Sequence, residues 1–171
     1  MIRICFHGAE STGKSTVAER LARNLDIPVV PEFGREWAET VGTDFPMDVL
    51  LAIADGQDAA MTAAAASNPP VLFLDTDPLM TAAWAAMLFG EVPEIMLRYA
   101  KAEHYLLFTP DVPWFDDGTR FFGTEKERAH FAGLAEGILI GTGVPYTRIS
   151  GSWAEREAQT RAEIARLTGV T

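Results

Sequence analysis

"HGAESTGKST", residues 7–16, follows the apolar run "IRICF", residues 2–6, and runs directly into a helical pattern. Two glycines, a lysine and four hydroxyl side chains crowd what should be an ordinary helix start. Glycine and Ser/Thr at that density disfavour a helix through backbone entropy and competing local hydrogen bonds, so the arrangement needs a reward. Gly8 through Ser15 fits G-x-x-x-x-G-K-[ST] in the required context, after a strand and before a helix. There the glycines let the backbone wrap until its N–H groups converge on phosphate oxygens, and the helix N-terminus adds positive potential. Gly8, Ala9, Glu10, Ser11, Thr12, Gly13, Lys14, Ser15 and Thr16 are the expected nucleotide-binding residues, with Thr16 also read as a helix residue. Lys14 is expected to reach the β- and γ-phosphates, and Ser15 to offer its hydroxyl to Mg²⁺. The ligand predicted by this stretch is a nucleoside triphosphate, ATP with Mg²⁺.

Beyond this opening, five short apolar runs alternate with helical patterns: Ile2–Phe6, Pro28–Val30, Val71–Leu74, Tyr105–Phe108 and Pro145–Ile149. Such alternation predicts a three-layer α/β fold of the P-loop NTPase kind, a five-stranded, mostly parallel sheet with helices on both faces. Helix starts are well marked. Thr124 with Glu127 and Ser152 with Glu155 read as capping boxes, Pro78 suits a first helical turn, and Gly169 reads as a stop. A helix is predicted over Asp48–Ala66. The stretch Thr109–Gly123 is dense in Pro, Asp and Gly yet carries Trp114, Phe115, Phe121 and Phe122. A loop that long in a compact domain is usually functional, and here it is read as a lid. With no internal repeat and no Pro/Gly/Ser linker, residues 1–171 are expected to form one domain.

Composition narrows the function. At 48% apolar and 22% charged residues the chain has an ordinary globular make-up, and no apolar run approaches the ~20 residues of a membrane span. No signal peptide precedes the first strand, and Cys5 is the only cysteine, so the expected location is the cytoplasm, with no membrane partner. A net charge of −10 argues against a nucleic-acid partner, which would require a cationic face, but leaves room for a small ligand held by local cations. His7, His104 and His130 are far apart in sequence and read as structural or surface residues.

Acids at strand ends supply the remaining candidates. "VLFLDTD", residues 71–77, offers Asp75 and Asp77 for magnesium or substrate; Asp75, directly after the apolar run, is the better metal ligand, whereas Asp77 before Pro78 reads equally as a helix cap. "PEFGREW", residues 31–37, places Glu32 at the carboxyl end of the second strand, where ligands bind in open parallel sheets. Glu32 is a candidate base for a substrate hydroxyl and Arg35 a candidate substrate contact, unless the two form only a surface pair. Gln57, on the apolar stripe of its helix, is either a satisfied core amide or a substrate contact. Trp84 is either core or a platform for an aromatic substrate. In "DDGTR", residues 116–120, Asp117 and Arg120 lie beside aromatic residues, and an arginine brought over the γ-phosphate is what a kinase lid supplies.

Taken in order, "GAESTGKST", "PEFGREW", "FLDTD" and "PWFDDGTRFFG" resemble the ribosylnicotinamide kinase domain of NadR-type proteins, and the likeness continues into "ISGSWAERE". The resemblance implies a nucleoside-kinase-like core with a lid and ATP-dependent phosphorylation of nicotinamide riboside to nicotinamide mononucleotide. It carries Lys14 and Ser15 over as phosphate and magnesium groups, Glu32 and Arg35 into the substrate region, and Asp117 and Arg120 into the lid. In bifunctional members this domain follows an adenylyltransferase domain, sometimes with a DNA-binding segment before it. Here the first strand begins at residue 2, so neither activity is expected of this chain. Catalytic roles thus fall to Lys14, Glu32 and Arg120. Two readings compete: a kinase of another nucleoside or small alcohol, and a nucleotide-dependent ATPase or switch acting on a protein partner.

Overall fold

The computed structural model describes residues 1–114 and 123–170. Its elements run β1 (Ile2–Gly8), α1 (Lys14–Leu25), β2 (Val29–Val30), α2 (Phe33–Thr40), α3 (Met47–Ala65), β3 (Val71–Asp75), α4 (Pro78–Phe89), a 3₁₀ turn (Glu94–Leu97), β4 (His104–Phe108), α5 (Glu125–Thr142), β5 (Tyr146–Ile149) and α6 (Trp153–Thr168). The strands form one sheet in the order β2-β3-β1-β4-β5, and every pairing is parallel. The fold is the predicted α/β class, with a sheet that is wholly rather than mostly parallel.

Alternation along β1 explains the layers. Ile4 and Phe6 face one side and pack with Val17, Leu21 and Ile164 of α1 and α6. Cys5 faces the other side, among Met61, Leu79 and Leu139 of α3, α4 and α5. A sheet buried on both faces requires apolar residues at successive positions, which is why its strands read as continuous apolar runs. No helix among the described residues is long and apolar enough to cross a membrane.

Local chemistry fixes the ends. Both capping boxes form reciprocally, at Thr124–Glu127 and Ser152–Glu155, and Gly169 ends α6 in the left-handed conformation. β2 is a residue shorter than expected because Pro28 has no N–H to donate, although its carbonyl still accepts from Phe73 N at 2.9 Å. α2 was absent from the sequence expectation; none of its residues is fully buried, so it carries no deep apolar stripe to betray it. His7 donates from Nε2 to Ala135 O at 3.2 Å, and burial pushes it down to about 4, so it is a neutral core residue.

Asp77 caps α4, accepting from Leu79 N at 3.1 Å and from the Tyr105 hydroxyl at 2.5 Å. Burial pushes its carboxyl up to about 6, against the pull of those hydrogen bonds. The folded state therefore holds a proton that the unfolded state releases, and stability falls as pH rises from the ordinary Asp value through about 6. Asp77→Asn keeps an oxygen for the Leu79 amide and removes the charge. Urea unfolding at about pH 4 and about pH 7.5 is expected to show the variant gaining ~2 kcal/mol on the parent between the two. Identical pH slopes would remove Asp77 as the responsible group.

Candidate active site

The nucleotide side begins where β1 ends. At Gly8 (φ 131°) a Cβ would lie 2.4 Å from the Phe108 carbonyl oxygen of the neighbouring strand, so only glycine lets the chain turn out there. Ser11 (φ 58°) and Gly13 (φ 82°) are left-handed, and the Thr12 hydroxyl braces the curl by donating to Ala9 O at 2.9 Å. Alternating handedness turns successive N–H groups into one concavity, a nest for an anion, and α1 starts immediately behind it. Lys14 opens α1 and is 7% exposed, its ammonium confined to the site.

Magnesium candidates meet across two strands. Phe6 of β1 is in register with Asp75 of β3, which brings the carboxylate level with the start of the loop. Asp75 is buried, bonds the Ser15 side chain, and leaves Oδ1 with no hydrogen-bond partner. Burial, and then the nearby Glu32 carboxylate, hold the Asp75 carboxyl above its usual range, while Lys14 pulls it back. An orphaned, buried carboxylate oxygen beside a serine hydroxyl is a donor set that fits a hard divalent cation.

Glu32 sits at the N-cap of α2, 3.7 Å from the Arg35 guanidinium. Gln57 of α3 holds that turn from both sides: its Oε1 accepts from Phe33 N at 2.8 Å, and its Nε2 donates to Pro31 O at 3.3 Å. The satisfied-amide reading of Gln57 thus holds, and the amide fixes the backbone on either side of Glu32. Two clefts flank this turn. One runs along the phosphate loop with Ser15, Thr16 and Asp75. The other has an aromatic wall of Phe45, Trp84 and Phe131 and includes Gln57. Trp84 packs edge-on to Phe131 at 4.9 Å and to Phe45 at 6.1 Å. Lys14, Glu32 and Arg35 line both clefts.

The structure therefore gathers Lys14, Ser15, Glu32, Arg35, Gln57, Asp75 and Trp84. It does not bring Asp77 there: that carboxylate is 1% exposed and spent on capping α4. Asp117 and Arg120 lie outside the described residues. Phe45 and Phe131 were missed from sequence, because they come from the turn before α3 and from mid-α5, and no motif surrounds either. The one signal for Phe45 was its place before Pro46, which N-caps α3.

Against known proteins, the chain is similar to the trifunctional NAD biosynthesis/regulator protein NadR of Escherichia coli (strain K12), at 26% identity over 156 residues. That match covers 85% of this chain and 37% of the relative, so the chain spans well under half of the protein it resembles. Its fold superposes on a crystal structure of NadR protein in complex with NR with a TM-score of 0.83 and 23% identity, over 99% of this chain and 52% of that one. It also superposes on deoxyadenosine kinase from M. mycoides with a TM-score of 0.68 and 8% identity, over 96% of this chain and 100% of that one. What these structures share with it at such identities is the fold, a five-stranded parallel sheet flanked by helices. The model of one family, AAA domain, takes in the phosphate loop, the Glu32 turn, Asp75 and the start of α6 in a single match over residues 3–156, and the chain belongs to that family.

Proposed function

We propose that this chain is an ATP-dependent nucleoside kinase whose acceptor is nicotinamide riboside. The observation that carries the reading is the shared wall of the two clefts: Lys14, Glu32 and Arg35 line both, so a phosphoryl donor in one and a hydroxyl in the other would meet at these side chains. The aromatic cleft supports an aromatic base on the acceptor. Similarity to NadR, and the fold shared with a NadR structure in complex with NR, support nicotinamide riboside among nucleosides.

Within this reading the loop amides and Lys14 bind the phosphates, and Lys14 offsets charge that builds on the transferring group. Glu32, held by Gln57 and facing both clefts, accepts the proton of the attacking hydroxyl. Ser15 and Asp75 would hold Mg²⁺, which would neutralise part of the charge on the phosphates. Arg35 orients the acceptor. Asp117 and Arg120 keep their sequence-based roles in a lid that excludes water.

The decisive assay incubates ATP and Mg²⁺ with a panel of nucleosides and follows ADP and phosphorylated product together. Nicotinamide riboside is expected to give the highest kcat/KM. Preference for a different nucleoside would replace the acceptor and keep the kinase, while ADP release indifferent to every acceptor would favour an ATPase or switch. Lys14→Ala is expected to lower turnover by about 10² or more in a folded protein. Glu32→Gln should leave ATP affinity within about twofold and slow transfer by about 10², since shape is kept and the proton acceptor is lost. Should ATP binding collapse instead, Glu32 belongs to the nucleotide site. Arg120→Ala is expected to depress kcat and to raise the share of ATP hydrolysed without transfer; unchanged coupling would remove the lid cation from the scheme.

A further inference from the structure

Arg156, on the second turn of α6, is fully buried, which is rare for an arginine and needs a cause. Its guanidinium spends its donors on three separate segments. Nε donates to Gly151 O at 2.7 Å, Nη1 to Thr12 O at 3.3 Å, and Nη2 to the Asp111 carboxylate just beyond β4. Asp111 is itself fixed, accepting from Thr109 Oγ1 at 2.5 Å and from Gly151 N at 2.7 Å. One turn earlier, the Trp153 ring fills the space beside Gly13, where a Cβ would come within 2.5 Å of it. The Arg156 guanidinium lies 6.0 Å from the centre of that ring.

Burying a guanidinium carries a desolvation cost that a leucine or methionine packing α6 to the sheet would avoid. What an arginine adds is a donor aimed at a loop carbonyl. The Thr12 carbonyl and the Gly13 amide belong to one trans peptide plane, in which C=O and N–H point in opposite directions. A donor that holds the carbonyl toward α6 therefore turns the Gly13 N–H the other way, into the phosphate loop. Left-handed Gly13 is the residue of the loop freest to let that peptide flip, since it has no Cβ to resist rotation. The Trp153 ring occupies the space where a Gly13 Cβ would stand.

We propose that Arg156 is a positioning residue for the nucleotide: together with Trp153 it locks the Thr12–Gly13 peptide so that its N–H is preset to receive a phosphate oxygen. This rests on the nucleotide-binding reading above and goes beyond it, since no part of the Gly8–Ser15 pattern includes α6. Preorganised donors bind without first having to be reoriented, so losing the lock should weaken nucleotide binding and spare the acceptor side.

The test measures ATP affinity by calorimetry, and acceptor KM at saturating ATP, for the parent, Arg156→Met and Arg156→Lys. Arg156→Met fills similar volume without donors and is expected to weaken ATP binding about tenfold or more, with acceptor KM within about twofold. Arg156→Lys can serve one carbonyl at a time and is expected to fall between the two. A general loss of structure would move both constants together, and circular dichroism identifies a variant that does not fold. If Arg156→Met does not fold, the decision passes to Arg156→Lys, for which ATP affinity equal to the parent's overturns the proposal. A folded Arg156→Met with parental ATP affinity overturns it likewise, leaving nucleotide binding by the loop intact. A parent that binds no ATP removes the nucleotide reading and this role with it.

Discussion

The rest of the molecule depends on where β1 stops. This strand is paired on both sides, to β3 and to β4, and at Gly8 its backbone passes so close to the Phe108 carbonyl that no side chain fits between them. The chain must leave the sheet there, at the carboxyl edge, where a parallel sheet collects its ligands. Because pairing fixes register, the same edge delivers Asp75 from β3, two positions before Asp77 takes up the α4 cap. The phosphate loop, the candidate metal ligands and the Glu32 turn after β2 are set by one hydrogen-bonded ladder.

Electrostatics at that edge are less simple than a cationic loop waiting for an anion. The chain carries a net charge of −10, and Glu19, Glu32, Glu36, Glu39 and Asp75 share the cleft along the loop with Lys14 and Arg35. Long-range attraction cannot bring a triphosphate here, because the surrounding field has the wrong sign. A triphosphate bound here would have to be held by short-range donors: the loop amides, the N-terminus of α1 and the buried Lys14. The Asp75 carboxyl is raised first by its burial and then by the nearby Glu32 carboxylate. A ligand that arrives with its own divalent cation relieves that repulsion, which is consistent with a site that carries both a phosphate nest and an unpartnered carboxylate oxygen.

Legibility from sequence followed the range of the interactions. The strands could be read because burial on both faces writes continuous apolar runs, and the helix starts because capping boxes are local chemistry within four residues. The glycine-rich loop after β1 and the strand end at Asp75 could be read for the same reason: both are short-range signals. Asp77 was ambiguous because one carboxylate before a proline serves a cap or a ligand equally well; the hydroxyl of Tyr105, remote in sequence, settles its cap role. α2 lacked a deep apolar face, and Phe45 and Phe131 meet Trp84 only through tertiary packing.

The difference between the two halves of the site has a physical origin. Nucleotide phosphates are recognised by backbone amides, and a backbone can be shaped that way by a single loop whose glycines are visible in sequence. An acceptor pocket is recognised by side-chain shape, and no single segment can enclose a ring. Here the wall is assembled from the turn before α3, from α4 and from α5, and the candidate base stands on a turn held by Gln57 from across the cleft. The helical layer can therefore change its aromatic and aliphatic lining without disturbing the ladder from which the loop leaves the sheet. Glu32 and Gln57 lie on the boundary between these layers: moving the α3 amide would carry Glu32 with it, whereas repacking Phe45 or Phe131 would leave Glu32 in place.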